Sequence, residues 1–545
     1  LSSIFGGFSY ALTPHIFGLI NAGHNNKIMA IAFIPWLFFS TQYLFNSRSV
    51  KSVLFLSIIS SLQLWKNHPQ IVYYSWMVIG LWWLWNLLDE LIFSSSQKSF
   101  YTLGLISLAL FLSLMMVVDP YLENFTFQKH SNRGAQSVLD NTDETASGTK
   151  WEYATQWSFH PAEVISFCYP YQYGLQNFGV SDRKNPNKFM KQASYWGYMP
   201  FTQSTHYMGL LLILLPLLCL VMRYKMNDLD RFELFLWSIS ILVLIIGFGS
   251  HFSLLYKPLF YFAPFFSKFR IPSMIYILLP FTFSFLAASS LDYFFKIDKD
   301  VLTNYSIKIF GIFIFLTVGI LLFGENLFSF TSQGDSRFPA YIDIVEKIRI
   351  DYAHKGLILA LFISTSTLVI IWAYANEKIE KNLSLYLIIS LLLIDLWILK
   401  QEFLHLVPAK NIVDQFRATS EIDYLKKDKS QFRIFPADNI NTNKYGYWNI
   451  ESIGGYRAIK LRNYQDLMDT GGFQRPEVLN MLNVKYLITS QKVRNTSFKQ
   501  LVGIKKLYEN LDFLSRAWLV SDIQNVEDQK SSLSKVMDIS FRPKN

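Results

Sequence analysis

The stretch "YSIKIFGIFIFLTVGILLFG" (305–324) decides the fold, because its twenty residues carry a single charge, Lys308. As a helix it would be about 30 Å long, the thickness of a bilayer's hydrocarbon core. "FELFLWSISILVLIIGFG" (232–249) and "YMGLLLILLPLLCLVM" (207–222) are runs of the same kind. Extending the reading outward gives about eleven spans, at 2–20, 28–45, 50–65, 70–88, 100–118, 207–223, 232–249, 272–295, 305–323, 355–375 and 382–400. The third is short. The composition agrees: 51% of the 545 residues are hydrophobic and 17% charged, with 48 Phe, 30 Tyr and 14 Trp. The fold class expected is a polytopic α-helical membrane protein.

Two other departures from the apolar pattern set the domain plan. Residues 119–205 form one long polar loop within a transmembrane domain covering 1–400. From about 401 the patterning alternates: "QFRIFPA" reads as a strand and "RNYQDLMDT" as a short helix. "RPEVLNMLNVKYLITS" reads as a helix running into a strand, and "RAWLVSDI" as a further strand. Residues 401–545 are therefore expected to form a small mixed α/β domain. Its most unusual stretch is "ESIGGYRAIKLRNYQ" (451–465), where Gly454 and Gly455 permit close backbone approach, for packing or for a ligand. The chain opens at Leu1 inside a hydrophobic stretch and stops after "MDISFRPKN", so it reads as a piece lacking both ends.

The net charge of +10 does not form a basic stripe, so nucleic acid is excluded as a partner and membrane flanking explains the cations. Two cysteines exclude a disulfide scaffold, and Cys219 lies inside an expected span, away from Cys168. Orientation follows from the charges in alternate short loops. One set holds Arg48, Lys51, Lys98, Arg223, Lys225, Arg231, Lys296, Lys299, Lys308, Lys378 and Lys381; the other holds Lys27, Lys66, Lys257, Lys268 and Arg270. The richer set is expected to be cytoplasmic. The long loop and the C-terminal domain then lie outside the cell, together with the polar turns "NAGHNNK" (21–27) and "WKNHPQ" (65–70).

Those two turns bring His24, Asn25 and Lys27, and Lys66, His68 and Gln70, to one face. Lysines supply charge while amides and imidazoles supply directed donors, a set suited to an anionic headgroup of a membrane lipid. The competing explanation is that Asn and His cap helices while Lys snorkels. "SKFRIPSM" (267–274) follows an aromatic segment, "YKPLFYFAPFF", expected to be interfacial or re-entrant, and places Lys268 and Arg270 at the membrane surface. Arg270 can grip a phosphate or simply anchor a helix. In the long loop, Trp157 and Trp196 offer faces on which sugars stack, and Glu163, or less so Glu152, offers a general base. "DLD" (228–230) and "DKD" (298–300) have a metal-binding spacing but lie in short loops without a nucleotide-binding domain, so no metal site and no cofactor is expected from them.

In this order, "AGHNNKIMAIAFIPW", "NHPQIVYY", "YATQWSF", "YWGYMPFT", "KFRIPSM", "SIGGYRAIKLRNYQDL" and "VLNMLNVKYLI" make most of the chain resemble the bacterial YfhO family of multi-spanning membrane proteins. The resemblance implies a GT-C-like fold and a glycosyltransferase of the bacterial cytoplasmic (inner) membrane. Such an enzyme takes sugar from a polyprenyl-phosphate carrier on the outer face and gives it to an envelope polymer or glycan acceptor. It also implies that the main catalytic acid stands in a first outer loop preceding Leu1 and leaves any divalent metal undetermined. Two alternatives are a lipid-linked sugar flippase, which would need polar residues at bilayer depth, and a non-catalytic envelope assembly protein.

Overall fold

A computed structural model describes residues 1–93, 97–139, 151–175, 194–202, 204–337, 342–404, 406, 408–457 and 459–544. The chain divides into two compact units, Leu1–Asp119 with Lys150–His405, and Pro120–Thr149 with Leu406–Asn545. The 119–205 segment is thus shared between them and is not one loop.

The first unit is helical. Among the described residues, eight helices are long and apolar enough to cross a membrane: Ser2–Asn21, Asn25–Ser47, Pro69–Leu91, Gln97–Met116, Pro272–Phe294, Lys299–Leu327, Ile342–Ala375 and Lys381–Phe403. The protein is a polytopic helical one. Three expected spans differ in form. Val50–Trp65 has 16 residues, and Leu211–Lys225 has 15 with Pro216 inside it. Arg231–Gly247 reaches spanning length only with Gly249–Phe262, from which it is bent by 110°. The bend falls at Gly249, whose φ is +51° and where a Cβ would overlap Ser158 and Pro272. Beyond it, helix Ser253–Phe262 leaves Leu254 and Phe262 exposed, as expected of an interfacial segment. Phe315 and Leu322, 77% and 68% exposed on Lys299–Leu327, are similarly suited to lipid and not to water.

Helix boundaries follow local chemistry. Ser49 and Ser52 make a capping box for Val50–Trp65. Asp230 accepts from Glu233 N at 2.9 Å, and Asp298 accepts from Asp300 N at 2.9 Å and Val301 N at 3.1 Å. Asp230 of "DLD" and Asp298 of "DKD" are therefore N-caps, while Asp228 pairs with Arg223.

The second unit holds a four-stranded sheet ordered β1-β2-β4-β3, with β1 Arg433–Pro436, β2 Val484–Ile488, β3 Phe498–Gln500 and β4 Leu507–Asn510. β1 and β2 are parallel; the other pairings are antiparallel. Central β2 serves two cores: Leu487 packs with Phe473 and Leu479, while Tyr486 and Ile488 pack with Ile422, Leu425 and Ile434. The expected helices are Arg462–Asp469 and Pro476–Met481. The expected strand at "RAWLVSDI" is absent: the segment has no sheet partner, and Leu519 and Ile523 are exposed. Its alternation is strand-like, yet a strand also needs a free edge to pair with.

The largest fully buried side chain is a charged one, Arg349. Its NH1 and NH2 reach Asp335 Oδ2 and Oδ1 at 2.7 and 2.8 Å, and NH1 also donates to Phe330 O at 2.8 Å. Burial alone would raise the Asp335 carboxyl, but Arg349 and Ser332 hold it below its ordinary value. Its contribution to stability is present above the ordinary carboxylate pKa and is lost as pH falls through the lower, folded one. Arg349→Met leaves Asp335 without its cation and should cost about 3–5 kcal/mol. Thermal unfolding in detergent measures this, and Arg349→Met with Asp335→Leu should recover much of the loss.

Candidate functional site

The site grows from the short link between the bent helix pair and Pro272–Phe294. Phe265 and Ile271 both have positive φ, +62° and +65°, which is costly for a β-branched residue such as Ile271. Three hydrogen bonds hold the link in this shape. Ile271 N donates to Ala154 O at 3.0 Å, Ser273 N donates to Trp157 O at 3.4 Å, and Gln70 Nε2 donates to Arg270 O at 2.7 Å.

With its backbone fixed, the Arg270 side chain lies over two rings. The guanidinium carbon is 4.0 Å from the Tyr153 centroid and 5.0 Å from the Trp157 centroid, and NH1 donates to Tyr153 Oη. Trp157 is oriented in turn by donating to Phe201 O at 3.0 Å. Arg270 Nε has no hydrogen-bond partner among the described residues. The contacts described for this guanidinium are rings and a phenol, not a carboxylate.

Lys27 lies within Coulombic reach of Arg270 and of His24, and half-buried His15 lies within reach of both His24 and Lys27. His24 is the N-cap of helix Asn25–Ala32, but its side chain makes no capping bond, so capping does not account for it. Burial first, and then Lys27, hold its imidazole below the ordinary value, so it is neutral at pH 7. Behind His15, His206 stacks at 5.4 Å, and Ser204 Oγ sits 2.9 Å from His15 Nδ1. Asn25 is exposed at the start of its helix.

The second polar turn divides. Gln70 joins the cluster directly. Lys66 is the C-cap of Val50–Trp65, Asn67 takes the left-handed conformation at φ +52°, and His68 precedes Pro69 at the next helix start. These positions account for their residue types by helix termination. Lys268 lies two residues from Arg270, and burial holds its ammonium below the ordinary value.

Two expected site residues are enclosed instead. Trp196 is 7% exposed, with its rings 4.4 Å from Tyr173 and 5.3 Å from Phe330 and its Nε1 donating to Gln172 O at 3.0 Å. No face is left on which a sugar can stack. Glu163 is 2% exposed; Oε2 accepts from Tyr195 Oη at 2.8 Å and Oε1 from Tyr198 N at 3.1 Å. It fastens residues 195–198 and does not face a substrate. Glu152, beside Tyr153, is exposed.

Sequence reasoning missed Tyr153 and the His15–His206 pair, and it missed a buried acid elsewhere in the apolar helices, Asp395. Asp395 is fully buried within Lys381–Phe403 and accepts from Tyr207 Oη at 2.7 Å and Leu210 N at 2.9 Å. A lone Asp in an apolar run was the available signal. Among the described residues, no three His, Cys, Asp or Glu are grouped to hold a metal ion. No family model, curated protein or solved structure matches the chain.

Glu163 titrates with consequence. Burial pushes its carboxyl up to about 7 against the lowering bonds from Tyr198 and Tyr195. A raised folded pKa means that the native state holds the extra proton, so stability is greatest below the ordinary carboxylate pKa and falls as pH rises to 7. Between pH 5 and pH 8 the wild type should lose on the order of 2 kcal/mol relative to Glu163→Gln. Thermal melts of both proteins at the two pH values check this.

Proposed function

We propose that the protein is a glycosyltransferase of the bacterial cytoplasmic membrane, moving sugar from a polyprenyl-phosphate donor to an envelope acceptor on the outer face. The eleven-segment topology and the outward placement of the second unit belong to the same reading, as does the GT-C-like, YfhO-type affiliation. One observation carries it: an arginine stacked on two rings, with Nε unpartnered and Lys27 nearby, at a surface end of apolar helices.

Such a cluster suits a lipid phosphate. Tyr153 and Trp157 fix the guanidinium before the ligand arrives, so little side-chain entropy is lost on binding. In the reaction the acceptor hydroxyl attacks the anomeric carbon, its proton passes to a carboxylate, and the bond from that carbon to the phosphate oxygen breaks. Charge builds on the departing phosphate, where Arg270 and Lys27 stabilise it. His24, neutral at pH 7, serves as a hydrogen-bond partner. Exposed Glu152, adjacent to Tyr153, is the better placed carboxylate in this chain, since Glu163 is enclosed. A carrier would use a charge at bilayer depth, but Asp395 is held by Tyr207 Oη and Leu210 N and reads as a lock between elements.

Sugar transfer in membranes supplied with polyprenyl-phosphate sugars tests the proposal. Arg270→Ala should lose about 100-fold or more in turnover, while Lys308→Ala stays near wild type. Unchanged transfer by Arg270→Ala removes the cluster from the reaction.

A further inference from the structure

The second unit contains an open cavity of about 240 Å³ that the proposed reaction does not use. Its floor is apolar, formed by Phe127, Ile453 and Met468, and Arg457 and Lys460 stand at its rim. The "GG" of "SIGGYR" shapes it. Gly454 packs directly on the Ile440 carbonyl, where a Cβ would overlap it, and Gly455 has φ +131° and donates to Ile440 O at 2.6 Å. Tyr464 Oη is turned away from any ligand, donating to Ile453 O at 2.6 Å.

Arg457 lies over the Phe127 ring at 5.6 Å, and among the described residues neither Arg457 nor Lys460 pairs its side chain with a carboxylate. An apolar hollow of this size exposes hydrocarbon to water, which a larger side chain at Met468 would have relieved in a purely structural domain. Two cations beside such a hollow favour an occupant with an apolar body and one anionic end.

We propose that this cavity binds a small anionic amphiphile, its hydrocarbon on Phe127, Ile453 and Met468 and its acid group between Arg457 and Lys460. Neither part alone is sufficient: the floor offers no directed donor, and the rim faces water.

The probe is hexyl phosphate, titrated calorimetrically into the full chain in nanodiscs, with inorganic phosphate and hexanol as comparison ligands. Empty nanodiscs supply the partitioning background. Hexyl phosphate should bind at least tenfold more tightly than either comparison ligand. Arg457→Ala with Lys460→Ala should weaken it tenfold or more, and Met468→Trp, which fills the floor, should abolish it while the melting temperature shows that the unit is folded. Equal binding of inorganic phosphate would make this a surface anion site and overturn the proposal. So would equal binding of hexanol, or an affinity untouched by the double variant. Because the readout is binding in the second unit, failure here is independent of failure in sugar transfer.

Discussion

The hydrogen bond from the Gln70 side chain to Arg270 O, 2.7 Å long and linking residues 200 positions apart, is the constraint on which the site depends. A residue such as Ile271 at φ +65° persists only when its surroundings over-determine it. Gln70 supplies one fastening, and Ala154 and Trp157 supply the others through backbone carbonyls. Together they bring one helix start, the 151–157 segment and the bent helix pair to one point. Arg270 is stacked there by geometry that its neighbours impose, within Coulombic reach of Lys27, which in turn lies within reach of His24.

Three buried or half-buried charges illustrate how partner saturation separates structure from function. Arg349 is answered by a bidentate Asp335 and a backbone carbonyl, so it rigidifies and has no capacity for a ligand. Asp395 is answered by a phenol and a backbone N–H, satisfying a carboxylate without any cation. Arg270 is answered by rings and one phenol, which orient the guanidinium while leaving Nε without a hydrogen-bond partner among the described residues. A cation held ready in that way has binding energy to give to an anion.

Much of this was legible in the chain. Long apolar runs disclose helices because a bilayer-length segment has few alternatives; Gln70, Lys27 and His24 were marked by their placement in polar turns, Arg270 by the segment before Pro272, and Trp157 by the aromatic stretch of the long loop. What stayed hidden depends on tertiary contact. Trp157 and Trp196 have equivalent sequence surroundings, but Tyr173 and Phe330 cover Trp196 while Trp157 meets Arg270. Glu163 offered a carboxylate whose enclosure by Tyr195 and Tyr198 is set 32 and 35 residues away. "RAWLVSDI" has the alternation of a strand, yet β2 has neighbours on both sides in the sheet and "RAWLVSDI" has none.

The proposed reaction requires the Arg270 cluster to open to the outside of the cell, where a lipid-linked sugar would be used. Cysteine labelling addresses this most directly. In a background lacking Cys168 and Cys219, exposed Asn26 beside His24 and exposed Asn376 between Ile342–Ala375 and Lys381–Phe403 are each replaced by Cys. Intact cells are then treated with a membrane-impermeant maleimide. Asn26→Cys should be labelled in intact cells and Asn376→Cys only after permeabilisation. The reverse pattern would place the cluster inside the cell and contradict that requirement.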